Sequence, residues 1–110
     1  MNEEITTLEE LQELISKEIG VLVYFSTPTC NVCHALKPKI IKEFETNFPK
    51  IKQVFIDSSI SPEIPAHFNI FSVPTILVFL DSKEFARESR NVSVPVLVSN
   101  IERVYKILLD

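Results

Sequence analysis

The sequence has one glycine, Gly20, in 110 residues, against seven prolines. Its turns must therefore be made with Asp, Asn, Ser and Pro. Cysteine is nearly as scarce, with Cys30 and Cys33 forming a single C-x-x-C. A disulfide-stapled secreted domain would carry more cysteines at wider spacing. The count points instead to a reducing compartment, the cytoplasm, and to a pair kept for chemistry. Positive charge is not in excess; the net charge of −4 invites neither nucleic acid nor an anionic membrane surface. No apolar run approaches the length of a bilayer span. The first twenty residues are acidic and amphipathic, without the basic and apolar regions of a secretory signal. We find no internal repeat and no low-complexity segment. With 45% hydrophobic and 24% charged residues, the composition is that of a globular chain, and residues 1–110 suit a single domain with its own core.

The chain is organised around Val21 to Cys33, V-L-V-Y-F-S-T-P-T-C-N-V-C. Val21 to Phe25 is short, apolar and rich in β-branched and aromatic residues, as a strand buried on both faces requires. Ser26-Thr27-Pro28-Thr29 breaks it. Beyond the cysteines, Cys33, Leu36, Ile40, Ile41, Phe44 and Phe48 fall at helical spacing on one broad face. Both cysteines thus sit where a central strand gives way to a helix, with Cys30 at or near the N-cap. Unpaired backbone N–H groups and the positive end of the helix dipole favour thiolate there, and thiolate is the nucleophile.

The other elements follow in order. Glu3 to Thr6 reads as a short first strand. Thr7-Leu8-Glu9-Glu10 fits a capping box, with Glu10 reaching back, and opens a helix that ends near Gly20. Pro38 should kink the cysteine-bearing helix near Ala35–Pro38, and Asn47-Phe48-Pro49 closes it. Ile51 to Ile56 is a second buried strand, which completes a parallel βαβ unit. A turn-rich stretch from Asp57 to Asn69 holds a short helix around Ile64 to Phe68. Val73-Pro74-Thr75 leads into a third central strand, Ile76 to Leu80. Glu84 to Arg90, polar and alternating, suits an antiparallel edge strand whose charges discourage sheet association. Ser93 caps a last helix with Pro95 in its first turn. The order β-α-β-α-β-α-β-β-α describes an α/β sandwich.

Three features in sequence order carry a family resemblance. A strand runs through Pro28 into Cys30-Asn31-Val32-Cys33. Pro38 follows Cys33 by five residues. Val73-Pro74-Thr75 opens a strand, with Pro74 forty-one residues past Cys33. In these features, over nearly its whole length, the chain resembles the thioredoxin family. The resemblance implies a thioredoxin fold, a central mixed sheet of four to five strands with helices on both faces. It implies a protein-disulfide oxidoreductase with no cofactor beyond a redox-active disulfide. It also implies protein disulfides as substrates, a thioredoxin reductase or other thiol donor as partner, a role in cell redox homeostasis and electron transport, and a monomer. The departures are specific. Thr29 stands where the family has a tryptophan, and Asn31-Val32 where it has Gly-Pro. Tyr24 and Gln53 replace a buried aspartate and its lysine, and Ser82 and Arg90 replace two glycines.

On this resemblance Cys30 attacks a substrate disulfide and Cys33, on the buried stripe, resolves the mixed disulfide. Without the family's buried carboxylate, Cys33 must lose its proton elsewhere, and resolution is expected to be slow. Tyr24 otherwise fills volume and shares a hydrogen bond with Gln53. His34 lies four residues after Cys30 on the helix, where its protonated ring would favour the Cys30 thiolate; the alternative is a solvated surface histidine. Pro74, if cis, holds the Val73 backbone toward the cysteines so that a substrate peptide can pair with it. Thr29, Val32, Val73, Pro74, Arg90 and Asn91 form the expected docking surface.

Three rival chemistries share these residues. C-N-V-C-H is also a C-x-x-C-H haem-attachment string, but only Met1 and His67 could supply a usual distal ligand and no export signal is present. Zinc would need His67 to join Cys30, Cys33 and His34 from afar. The third is a thioredoxin-fold binding module or redox sensor whose dithiol switches a partner's affinity without turning over.

Overall fold

The computed structural model describes residues 2–109, with side chains from residue 5 onward. Among the described residues nine elements appear in the expected order: β1 (Asn2–Glu4), α1 (Leu8–Lys17), β2 (Gly20–Ser26), α2 (Asn31–Asn47), β3 (Lys52–Asp57), α3 (Glu63–His67), β4 (Thr75–Leu80), β5 (Lys83–Glu88) and α4 (Val94–Leu108). The five strands form one sheet in the order β1-β3-β2-β4-β5. β1 and β2 run parallel to β3, β4 runs antiparallel to β2, and β5 antiparallel to β4.

β2 lies in the middle of this sheet, and its residues from Gly20 to Phe25 are all buried, as an apolar run without alternation requires. Successive side chains still part to opposite faces. Leu22 and Tyr24 join Cys33, Ile40, Phe44, Leu97 and Ile101 in the core beneath α2 and α4. Val21, Val23 and Phe25 join Leu11, Ile15, Ile64 and Ile70 beneath α1 and α3. Each fully buried Leu, Ile or Phe contributes about 1.5–3 kcal/mol over an exposed one.

Several boundaries differ from the sequence reading. The first strand spans Asn2–Glu4 and leaves Ile5 and Thr6 as the approach to α1. Thr7 caps α1 as expected, accepting from the Glu10 backbone N–H at 3.2 Å. Glu10, however, reaches back to the Thr7 hydroxyl, which donates to it at 2.9 Å, and not to the cap's backbone. Gly20 does not stop α1, which ends at Lys17; it opens β2, where a Cβ would lie 2.9 Å from Ile51 Cγ1. The edge strand stops at Glu88, so Arg90 lies in the loop before α4. The turns use the residues that the glycine shortage demanded. Asn69, Asp81 and Ser82 all take positive φ, at 58°, 55° and 66°. Asp81-Ser82 makes the two-residue hairpin turn between β4 and β5, where such φ values match the strand twist.

Candidate active site

β2 ends at Ser26, and Thr27-Pro28-Thr29 turns the chain into α2. The turn closes with a bond from the Cys30 N–H to the Thr27 carbonyl, at 3.2 Å. Cys30 is the N-cap of α2: its backbone is extended (φ −86°, ψ 101°), and its Sγ accepts from the Cys33 N–H at 3.1 Å. A sulfur thus occupies the place where a Ser or Asp oxygen usually satisfies a helix's first donors. The same donor favours negative charge on that sulfur. Cys30 is half-buried, whereas Cys33, one turn in, is only 1% exposed and belongs to the core. The two are joined in a disulfide, with Cα atoms 5.3 Å apart.

Two further contacts hold the first turn of α2. The ring Nε2 of exposed His34 donates to the Pro28 carbonyl at 2.8 Å, tying the helix to the turn before it. This bond, and not a contact with Cys30, is the one its ring makes among the described residues. From beneath, the Tyr24 hydroxyl donates to the Cys33 carbonyl at 2.7 Å. The sequence reading paired Tyr24 with Gln53, and that pairing does not form. In the β2–β3 register Gln53 lies opposite Leu22 and Tyr24 opposite Phe55. Gln53 Nε2 donates instead to the Ile41 carbonyl at 3.3 Å, and its buried Oε1 has no partner among the described residues. Burial pushes the Tyr24 phenol up to about 12, so at neutral pH it is a fixed neutral donor and cannot act as a base. Phe55 packs edge-on to Tyr24 at 6.0 Å, and Lys37, one turn beyond Cys33, lays its ammonium over the Phe55 ring at 4.5 Å.

The Val73–Pro74 peptide bond is cis. Thr75 opens β4 opposite Phe25, so Val73 and Pro74 come to the same end of the sheet as the 27–29 turn and the dithiol. Pro74 is buried and Val73 half-buried, and the Thr75 hydroxyl donates to the Ser72 carbonyl at 2.8 Å, closing the loop. Thr29 is exposed and Val32 half-buried on the turn and at the helix start. Arg90 and Asn91 are exposed in the β5–α4 loop, where a Val92 N–H to Ser89 carbonyl bond closes a turn. No hydrogen bond or ion pair joins either of them to the dithiol among the described residues. The site includes residues that the sequence reading passed over. A groove of about 260 Å³ is lined by Thr27, Ser58, Pro65, Ile70, Phe71 and Val73, with Ser72. Phe71, 87% exposed, stands on its rim. Inside the string Ile70-Phe71-Ser72-Val73 it reads as one more core residue, and nothing in the spacing marks it out.

The rival zinc set does not assemble. His67 hydrogen-bonds Gln12 of α1 at 3.3 Å and packs against Phe68, on the α1/α3 side of the sheet, away from α2. Among the described residues no group of three or more His, Cys, Asp or Glu is placed to hold a metal ion.

Comparison with known proteins agrees with this geometry. The thioredoxin family model matches residues 3–103. The thioredoxin-like protein YdfQ of Bacillus subtilis is 34% identical over 101 residues, covering 92% of this chain and 89% of that protein. The thioredoxin of Pyropia yezoensis is 34% identical over 79 residues, 69% of this chain and 71% of that one. Among solved structures, a mutant thioredoxin from Halobacterium salinarum superposes with a TM-score of 0.82 at 19% identity, covering 99% of this chain and 94% of the other. Oxidised thioredoxin O2 from Arabidopsis thaliana gives 0.79 at 22% identity, with 94% of each chain covered. At those identities the superpositions speak for the fold alone. The family model and the relatives, met by a bridged C-x-x-C at a helix start beside a cis-proline, place this chain in the thioredoxin family of thiol–disulfide oxidoreductases.

Proposed function

We propose that the protein reduces disulfide bonds in other proteins, with Cys30 as the attacking thiolate and Cys33 as the resolving thiol. The Cys30 thiolate attacks one sulfur of a substrate disulfide, forming a mixed disulfide and releasing the other sulfur as thiolate. Cys33 then loses its proton and attacks Cys30 Sγ. The substrate's second sulfur leaves, takes up a proton, and the protein is left oxidised. A thioredoxin reductase or another dithiol donor returns two electrons and restores both thiols. Thr29, Val32, Val73 and Pro74 form the surface on which substrate docks, the Val73 backbone pairing with an extended segment. The redox-active pair serves without a further cofactor. We place the protein in a reducing, cytoplasmic setting, working as a monomer of one domain in redox homeostasis and electron transport.

The observation that carries this reading is the unequal environment of the two sulfurs. Cys30 caps a helix at the surface and accepts the Cys33 N–H, while Cys33 is buried. One observation favours a second reading, a redox-sensing binding module. Where a proton acceptor for Cys33 would sit, Tyr24 offers only a donor. Insulin-disulfide reduction driven by dithiothreitol or thioredoxin reductase decides between them. Catalytic precipitation of the insulin B chain is expected from wild type and lost in Cys30→Ser. A wild-type rate equal to that of dithiothreitol alone, with no reductase-dependent turnover, selects the sensor.

A further inference from the structure

Two stretches of this chain break with its overall charge. The net charge is −4, yet α2 carries three lysines and no acid between Asn31 and Lys42. From Asn91 to Ile101 there is no charged residue at all. The fold sets these stretches side by side. Lys39, Lys42 and Glu43 of α2, with Val94 and Pro95 of α4, line a groove of about 350 Å³. At 1.5 Å of rise per residue, Lys39 and Lys42 stand about 9 and about 14 Å along α2 from Cys33. The groove shares no lining residue with the 27–29 turn or the cis-proline loop.

Each wall lacks what would complement it. Lys37 lays its ammonium over the Phe55 ring, but Lys39 and Lys42, both exposed, make no ion pair or hydrogen bond among the described residues. Glu43, the carboxylate among the lining residues, is engaged elsewhere: its Oε1 accepts from the Asn47 side-chain amide, one turn further on, at 3.3 Å. Neighbouring like charges on a helix surface repel mildly, so the fold gains nothing by setting the two lysines together. On the other wall Val94 is half-buried and Pro95 exposed, and Val96, next along α4, is 56% exposed. That leaves aliphatic surface in water which burial against a partner would stabilise.

We propose that this groove docks an acidic segment of another protein. An aliphatic side chain of the segment lies against Val94 and Pro95, and carboxylates on either side of it meet the Lys39 and Lys42 ammonium groups. Charge complementarity selects this occupant: the lysines repel a basic segment and give an uncharged one nothing to pair with. The volume is enough for one large aliphatic side chain and its flanking backbone. Exposed charges of this kind speed encounter and fix register more than they add affinity, so the binding is weak and sensitive to salt. Docking requires neither thiol and does not rest on the oxidoreductase reading.

Two nine-residue peptides test the proposal. Both have Leu at the centre; one has Glu at the two positions on each side of it, the other Gln. Each is titrated into the ¹⁵N-labelled, oxidised protein and followed by NMR. In about 50 mM NaCl the Glu peptide is expected to bind roughly fivefold more tightly than the Gln peptide, the worth of two exposed ion pairs. The shifts should centre on Lys39, Lys42 and Val94. In about 1 M NaCl the preference should shrink to within about twofold. A Glu peptide with Gly in place of the central Leu should bind about fivefold more weakly, having lost its apolar anchor. Lys39→Glu combined with Lys42→Glu, at two exposed positions, should reverse the preference toward a peptide with Lys in place of Glu. Equal or absent binding of the Glu and Gln peptides, a preference that survives the double charge reversal, or shifts centred on Thr27, Phe71 and Val73 would each overturn the proposal. So would phosphatidylglycerol vesicles that bind through the two lysines while the Glu peptide does not, or self-association that the charge reversal abolishes. No electron transfer takes place in this test, so its failure leaves the oxidoreductase reading standing, and a failed insulin assay leaves the groove standing.

Discussion

At the residue scale, Tyr24 is the side chain that ties the cysteine-bearing turn to the sheet. A phenol whose hydroxyl donates to the Cys33 carbonyl anchors the reactive turn of α2 to the central strand. It stays protonated because burial raises its pKa to about 12. The folded state therefore holds this proton more tightly than the unfolded chain. The bond's full contribution is present below the ordinary tyrosine value near 10 and is lost as pH rises toward 12. Tyr24→Phe should be less stable than wild type by about 1 kcal/mol at pH 8, with the gap narrowing once pH rises past the ordinary tyrosine value and reversing before pH 12 in urea denaturation. A gap that stays constant across that range would show that the hydroxyl is not the group responsible. The same side chain leaves Cys33 without a carboxylate to take its proton. Tyr24→Asp with Gln53→Lys, in a variant shown folded by circular dichroism, should raise insulin-reduction turnover by roughly tenfold or more, as a modest share of what an added general base can supply. Unchanged turnover would mean that proton removal from Cys33 does not limit the reaction. None of this was legible from composition. Replacing a buried acid by tyrosine is visible in the sequence, but the partner it chooses depends on strand register, which sets Gln53 opposite Leu22 and leaves the Cys33 carbonyl in reach.

At the scale of elements, the sequence was most readable where periodicity is long and caps are strong. β2, α2, β3, β4 and α4 fall where the apolar runs and the Cys30 and Ser93 caps put them, and α1 starts where Thr7 caps it. It was least readable where a few backbone bonds decide. The end of α3 is one such place. Asn69 takes the left-handed conformation that lets Ile70 fold back onto Pro65 and leaves Phe71 in water. A turn-rich stretch of sequence announces a turn but not which residue it displays. A β-branched side chain disfavours that conformation strongly. Asn69→Val should therefore cost about 1–2 kcal/mol in chemical denaturation, whereas Asn69→Gly should be neutral or slightly stabilising. Equal stabilities of the two variants would contradict the role given to this residue. Gly20 is a similar case. The sequence suggests a helix stop, but the structure uses its missing Cβ to let β2 pass close to Ile51.

At the scale of the whole molecule, the fold brings three distant stretches to one end of one sheet. β2 delivers the turn that precedes Cys30, β4 begins there with the cis Val73–Pro74 bond, and the closure of α3 supplies Phe71 beside them. Residues from 27 to 75 thus converge, although the sequence shows only the C-x-x-C and the proline spacing. The charged edge comes up to this end, where Arg87 and Glu88 line a cavity together with Phe71, Ser72 and Thr75. Arg87 on β5 pairs with Glu84 at 2.8 Å and donates to the Phe68 carbonyl at 2.9 Å. Of the two sulfurs, that of Cys30 is in the half-buried residue and that of Cys33 in the buried one, and the proposed function gives the attack to Cys30. The most direct measurement is therefore covalent trapping. Cys33→Ser and Cys30→Ser are each reduced, mixed with insulin and examined by mass spectrometry without reductant. A mixed disulfide through Cys30 should accumulate in Cys33→Ser and be absent from Cys30→Ser. Adducts formed equally through either cysteine, or formed through Cys33 alone, would contradict the account.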